Sequence, residues 1–118
     1  MCHLIFVCKY RKNLMVSLGE DVKAILADVA ERYGFKIIEM EVDQNHIYIL
    51  VQYEPKWSIL EIMRLFKQIS TYRLWRTHSA YLKRHFWKEK TFWSDGYFAC
   101  SVGTASKETI QQYIQNQG

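Results

Sequence analysis

The sequence contains little of what marks several large classes of protein. Its 118 residues include one proline and five glycines, while 15% are aromatic, and this balance argues against collagen-like repeats, long linkers and disorder. Its three cysteines form neither a CxxC pair nor an even framework, which is typical of small buried thiols in a reducing cytosol and lacks the usual zinc spacing. No apolar run approaches the ~20 residues that cross a bilayer. We therefore expect a cytoplasmic protein without membrane contact, folded as one domain over residues 1–118.

The net charge of +4 conceals an uneven distribution. Residues 64–90 contain eight lysines or arginines and one acid, so this stretch carries +7 and the rest of the chain −3. A block this polarised predicts a polyanionic partner, of which nucleic acid is the commonest. The cations expected to contact DNA are Arg64, Lys67, Arg73, Arg76, Lys83, Arg84, Lys88 and Lys90.

Five aromatic residues are interleaved with these cations. Exposed rings stack on unpaired bases, each stack being worth ~1–3 kcal/mol. The simpler interpretation is that the rings belong to the core and that the charges form a solvated rim, and we expect about half of the rings to be buried. The five are Tyr72, Trp75, Tyr81, Phe86 and Trp87.

Hydrophobic periodicity predicts the element order β-α-β-β-α-β-α. Residues 77–90 show no clear period and are interpreted as irregular. The order predicts an α+β fold, a ferredoxin-like or RRM-like sandwich in which a four-stranded antiparallel sheet carries two helices on one face, with an added C-terminal helix. Strands are expected over residues 3–10, 35–42, 46–53 and 97–102, and helices over residues 17–33, 59–75 and 106–116.

Polar residues mark the expected helix ends. Ser17 is the predicted N-cap of the first helix, and Gly34 its stop. Ser58 with Glu61 three residues later predicts a capping box at the start of the second helix. The buried stripe expected along that second helix consists of Ile59, Ile62, Met63, Phe66, Ile69 and Tyr72.

The third predicted strand separates two kinds of side chain. Since side chains alternate along a strand, one set is wholly apolar or aromatic and suits the helix-covered core, whereas His46 and Tyr48 project from the open face with Leu50 and Gln52. Taken alone, His46 and Tyr48 are a polar pair on a half-exposed strand. The core-facing set is Ile47, Ile49, Val51 and Tyr53.

The last predicted helix carries a second polar pair. Tyr113 and Gln117 are four residues apart and therefore share one helix face, one turn from each other. The simpler interpretation is that Tyr113 extends the surface that docks the helix and that Gln117 lies on a frayed end. The pair indicates a function only when it is considered together with other segments of the sequence.

Together these segments resemble the single-tyrosine transposases of small insertion sequences, a group within the HUH nuclease class. The resemblance covers nearly the whole chain. Four segments in the right order carry it: HLIFVCKYRK at residues 3–12, FWSDGYF at residues 92–98, SVG at residues 101–103 and YIQNQ at residues 113–117.

The resemblance implies a definite chemistry. In this family a tyrosine, matched here by Tyr113, attacks a phosphodiester of single-stranded DNA and becomes linked to the 5′ phosphate. A divalent ion, Mg²⁺ or Mn²⁺, assists from a site made by two strand histidines and a polar residue of the tyrosine helix. His46 matches the first histidine and Gln117 the helix ligand.

The second histidine position departs from the family pattern, because it is occupied by Tyr48. Phenol is a poor metal ligand, since it stays protonated up to a pH of roughly 10. We therefore expect a metal site that is weakened or absent, even if Asp43 or a water adds a ligand, and DNA binding that is retained. The resemblance also implies a homodimer joined sheet edge to sheet edge.

Two other classes of function remain open from the sequence. A non-catalytic module for single-stranded nucleic acid, or a decayed transposase, would place exposed rings on the sheet, and Tyr48 could be one of them. A structural or regulatory dimer would explain the fold but neither the Tyr113–Gln117 pair nor the basic block. A covalent DNA adduct distinguishes the first class from a transposase.

Overall fold

A four-stranded antiparallel sheet organises the residues that the computed structural model describes, which are residues 1–101. In chain order the elements are β1 (Cys2–Val7), a 3-10 turn (Lys9–Arg11), α1 (Met15–Tyr33), β2 (Lys36–Val42), β3 (His46–Gln52), α2 (Ile59–Thr77), α3 (Ser79–Phe86) and β4 (Phe98–Ser101). The order of the strands across the sheet is β2-β3-β1-β4, which confirms the predicted α+β ferredoxin-like arrangement. The predicted last helix lies outside the described residues.

The first strand is shorter than predicted because the chain leaves the sheet after Val7. Tyr10 and Arg11 adopt positive φ values of 59° and 52°, which lie in the left-handed region that a strand cannot continue through. The backbone N–H of Cys8 donates to the carbonyl of Asn45 (2.8 Å). The resulting turn places Arg11 next to the start of β3.

Two of the three helix ends predicted from polar residues are confirmed. Gly34 ends α1 with a φ of 80°, and the capping box of Ser58 and Glu61 is complete, with bonds of 3.0 and 3.1 Å. The prediction that Ser17 caps α1 is wrong, since the helix begins at Met15. The Met15 N–H donates to the Gln44 carbonyl (3.0 Å), so a tertiary contact replaces the side-chain cap.

The core lies between the sheet and the helices, as the alternation along β3 predicts. Ile47, Ile49 and Val51 are fully buried. Phe66 of α2 packs edge-on against Phe6 of β1, with ring centroids 6.5 Å apart. Buried residues of α1, α2 and the sheet form one hydrophobic cluster.

The predicted stripe of α2 is wrong at its C-terminal end. Tyr72 is 63% exposed, whereas Leu74 and Trp75 are buried. The reason is Ser70, a buried polar residue whose hydroxyl donates to the Phe66 carbonyl (2.6 Å) and accepts from the Trp93 indole (2.9 Å). Because this hydroxyl is satisfied, a small polar residue occupies the buried side of the helix and Tyr72 lies off it.

Residues 77–90 are not irregular, since they contain α3. This eight-residue helix buries Leu82 and Phe86, which are four residues apart, and exposes the cations between them. It ends at Trp87, which has a φ of 27° and is 82% exposed. Of the five rings in the basic block, Trp75 and Phe86 are buried and Tyr81 is half-buried, close to the expected share.

Within residues 1–101, no helix is both long enough and apolar enough to cross a membrane.

Candidate functional site

His46 and Tyr48 lie on the face of the sheet away from α1 and α2. In the register of the sheet His46 stands opposite Val7, and Tyr48 is flanked by Ile5 of β1 and Glu41 of β2. Both side chains are half-buried, while Ile5 and Val7 beside them are 0% and 1% exposed. On the β1 side the neighbours of these two polar groups are therefore apolar, whereas Glu41 borders Tyr48 on the β2 side.

The Tyr48 hydroxyl is directed toward β1. It forms a hydrogen bond of 2.6 Å with Nδ1 of His3, and the centroids of the two rings lie 5.7 Å apart. Burial raises the pKa of Tyr48, and the carboxylates of Glu39 and Glu41 raise it further. Near neutral pH this phenol stays protonated and engaged with His3.

His46 is held in a form that leaves one ring nitrogen available. Its Nδ1–H donates to the side-chain oxygen of Asn45 (3.0 Å), so Nε2 keeps its lone pair. Burial lowers the pKa of His46 and the charge of Arg11 lowers it further, while Asp43 acts in the opposite direction. The ring is thus neutral near pH 7, as a metal ligand must be.

These donors do not fit a two-histidine metal site. His46 offers an imidazole nitrogen, but Tyr48 offers a protonated phenol that is already bonded to His3. Among residues 1–101, no group of three or more histidine, cysteine or acidic side chains is placed to hold a metal ion. Asp43 uses a carboxylate oxygen to accept the Gln44 N–H (2.7 Å). The predicted residues Tyr113 and Gln117 lie outside the described residues.

Arg11 is a charged residue near this site that the sequence patterns did not single out. Its Nε is buried and has no hydrogen-bond partner within the described part of the chain, and its charge acts on His46. Arg11 lies in the left-handed turn after β1, and sequence periodicity does not predict such a turn.

The predicted DNA-contacting cations divide into two groups. Lys67 and Arg73 have partners inside the protein: Lys67 donates to the carbonyls of Ser94 and Gly96 (2.9 Å each), and Arg73 pairs with Asp28 (2.7 Å). Burial lowers the pKa of Lys67. The other six are exposed and form no ion pair within residues 1–101, namely Arg64, Arg76, Lys83, Arg84, Lys88 and Lys90.

Three of the exposed cations line a groove of about 770 Å³ on the outer side of α2. We call it the α2 groove. Arg64, Tyr72 and Arg76 of α2 form one wall, and the segment with Lys90 and Trp93 forms the other. Sequence reasoning missed the groove because its two walls are distant in the chain.

Comparisons with known proteins agree on one family. A family model described as "Transposase IS200 like" matches residues 1–117. The ISDra2 transposase TnpA of Deinococcus radiodurans is 30% identical over 116 residues, which cover 98% of this chain and 81% of the relative. The transposase for insertion sequence element IS200 of Salmonella typhimurium is 30% identical over 118 residues, covering 98% and 74%.

Solved structures support the same fold. A transposase crystal structure from Deinococcus radiodurans has a TM-score of 0.88 and 29% identity, and the match covers 98% of this chain and 88% of that one. A REP-associated tyrosine transposase bound to a REP hairpin has a TM-score of 0.61 and 12% identity, over 98% and 62%. The second likeness concerns the fold alone.

Proposed function

The chain belongs to the IS200-like transposase family, and on this premise we propose that it cleaves and rejoins hairpin-bearing single-stranded DNA at the ends of an insertion sequence. The observation that supports this proposal is the family match over residues 1–117, a span that includes Tyr113. The exposed cations of α2 and α3 provide the positive surface that a DNA backbone requires.

The proposed reaction is a transfer of one phosphodiester bond to Tyr113 and back. The tyrosine oxygen attacks the phosphorus and forms an O–P bond, while the bond from phosphorus to the 3′ oxygen breaks. The tyrosine hydroxyl gives up its proton in this step, and the leaving 3′ oxygen takes up one proton and becomes a 3′-OH, so the number of protons is unchanged. That hydroxyl, or the one of another strand, later attacks the 5′-phosphotyrosine and restores both the phosphodiester and the free tyrosine.

We expect Tyr48 to limit this reaction. Family members use a divalent ion, which supplies positive charge to the scissile phosphate, and in this chain His46 and Gln117 would be its remaining ligands. The bond between Tyr48 and His3 (2.6 Å) supports weak or absent binding of Mg²⁺ or Mn²⁺. This same bond favours a second candidate, a family member that binds DNA without cutting it.

Arg11 is suited to hold a phosphate where the metal site is incomplete. Its guanidinium has a buried nitrogen that lacks a partner within residues 1–101, and its charge acts on His46. An arginine binds phosphate with several parallel hydrogen bonds. We therefore propose Arg11, whose charge acts on His46, as a further phosphate contact near that histidine.

A covalent-adduct assay tests the reaction. Single-stranded DNA covering the flanks of the coding region is labelled at its 3′ end, because the fragment that becomes attached through its 5′ phosphate keeps that label. With Mn²⁺ we expect a denaturation-resistant adduct that is faint for the wild type, stronger for Tyr48→His and missing for Tyr113→Phe.

Other outcomes of this assay are equally informative. An adduct that survives in Tyr113→Phe contradicts the assigned nucleophile. DNA binding without adduct in both the wild type and Tyr48→His favours the non-cutting candidate.

We also propose a homodimer joined edge to edge. The outer strands of the described sheet are β2 and β4, and an unpaired strand edge is a ready surface for pairing with a second chain. Light scattering should give a mass near twice 14.2 kDa, and a monomer at high concentration contradicts the proposal.

A further inference from the structure

The α2 groove combines positive charge with an exposed ring. Four basic residues and one acidic residue line it. Of the cations, Arg64, Arg76 and Lys90 have no ion-pair partner within the described residues, whereas Lys67 is engaged with backbone carbonyls. Charges that no internal acid neutralises are available to a ligand's phosphates.

Tyr72 provides a flat surface at the wall of the groove. It is 63% exposed, and the Arg76 guanidinium lies over its ring at 5.6 Å. A ring beside a guanidinium offers a base a stacking partner and offers the adjoining phosphate a charge. The exposed face of this ring is accessible to a ligand in the groove.

Hydrogen bonds fix the two walls of the groove to each other. The Trp75 indole N–H donates to the Thr91 carbonyl (2.9 Å), the Trp93 indole donates to Ser70 (2.9 Å), and the Lys67 ammonium spans to Ser94 and Gly96. These bonds fix residues 91–96 against α2. A preformed site loses little conformational entropy when a ligand binds.

The size and position of the groove restrict its occupant. Its volume of about 770 Å³ lies within the ~300–1,000 Å³ range of sites for small ligands, which suits a nucleotide and is too small for a duplex. It lies on the helix side of the sheet, whereas His46 and Tyr48 lie on the other side. A nucleotide bound here is therefore remote from the proposed point of cleavage.

We propose that the α2 groove binds an unpaired nucleotide of the DNA substrate, with Tyr72 stacking on its base and Arg64, Arg76 and Lys90 contacting the flanking phosphates. This inference rests on the proposed function, because it takes single-stranded DNA as the partner. The chain thus has, in this proposal, a site for DNA recognition that is separate from the proposed catalytic site.

Fluorescence anisotropy with 5′-fluorescein dT20 tests the proposal. Tyr72→Ala should weaken binding about 5- to 150-fold, from the ~1–3 kcal/mol of one stacked base, and should leave the salt dependence unchanged. Tyr72→Phe keeps the ring and should bind like the wild type. Arg76→Gln should lower the slope of log K against log salt by about 0.7, the loss of one phosphate contact on a single strand.

Trp87→Ala is the matched control, since Trp87 is 82% exposed in the basic block but does not line the groove. It should bind like the wild type. Equal losses from Trp87→Ala and Tyr72→Ala, or unchanged binding by Tyr72→Ala, overturn the inference and leave the proposed function standing. A wild-type protein that does not bind dT20 also overturns the inference, whereas the proposed function fails only in the covalent-adduct assay.

Discussion

The two faces of the sheet differ in the side chains that they present to a ligand. On the helix side, α2 and residues 91–96 form a groove whose walls are tied by hydrogen bonds from Lys67, Trp75 and Trp93. On the open side, the second position of a histidine pair is Tyr48, whose hydroxyl is bonded to His3. The helix side thus presents the proposed nucleotide site, whereas on the open side a phenol occupies the position of the second histidine.

Under the proposed function, binding and cleavage depend on separate residues. The α2 groove needs only exposed charges, a ring and rigid walls, and none of these involves β3. We therefore expect a substitution on β3 to change metal binding without altering the proposed DNA surface.

The largest effect is expected on the free energy of unfolding, from a substitution in the core between α2 and the sheet. Phe66→Ala removes a fully buried ring that packs against Phe6 and Phe35, and such truncations cost ~3–5 kcal/mol. Urea denaturation measures the loss in the free energy of unfolding. Tyr72→Ala, on the same helix but 63% exposed, should change it by less than ~0.5 kcal/mol, and an equal loss from both variants contradicts the assigned burial.

The next effect concerns the wall of the α2 groove. Lys67→Met removes the ammonium that donates to the carbonyls of Ser94 and Gly96, and a hydrogen bond from a charged group is worth ~1.5–3 kcal/mol. We expect a loss of about 2 kcal/mol in the free energy of unfolding and faster hydrogen exchange over residues 92–98. Arg64→Met, one turn earlier and without an ion-pair partner within residues 1–101, should change neither. Unaltered exchange in Lys67→Met would show that the lysine does not hold this wall.

The sequence predicts well those features that depend on neighbouring residues. The alternation of Ile47, Ile49 and Val51 with His46 and Tyr48 assigns both faces of β3 because side chains alternate in any strand. Gly34 and the Ser58–Glu61 box mark helix ends through local backbone chemistry, and the structure confirms them.

Features that depend on distant partners are predicted poorly. Ser70 is polar, so periodicity assigns Tyr72 to the buried stripe, yet the Trp93 indole satisfies the Ser70 hydroxyl from 23 positions away. The same holds for the bond between His3 and Tyr48, which joins residues 45 positions apart. It also holds for Arg11, whose position follows from a left-handed turn.

The third-largest effect is expected on the affinity for Mn²⁺, from a histidine placed at position 48 on the open face. Tyr48→His replaces a protonated phenol by an imidazole two residues from His46, and we expect Mn²⁺ to bind at least ~10-fold more tightly, by analogy with the cost of disturbing a ligand's surroundings. Calorimetric titration of Mn²⁺ measures this change without DNA. Tyr48→Phe removes the hydroxyl without adding a ligand and should bind no more tightly than the wild type. Wild-type binding as tight as that of Tyr48→His contradicts the role given to Tyr48.

The smallest effect is expected at the ion pair that links α1 and α2. Arg73 holds the pKa of Asp28 below its ordinary value of 3.8, with help from Arg32. A carboxyl whose pKa is lower in the folded chain stabilises the fold above its ordinary pKa, and this contribution is lost as the pH falls through the lowered value. Arg73→Gln should therefore lower Tm by about 2 °C at pH 7, as a half-exposed pair allows, and the difference from the wild type should shrink as the pH approaches 3. Arg64→Gln, on the same helix and without such a carboxylate partner within residues 1–101, should show no such pH dependence. A constant difference for Arg73→Gln between pH 7 and 3 would mean that the arginine acts through packing, and Arg73 would then be free to contact DNA.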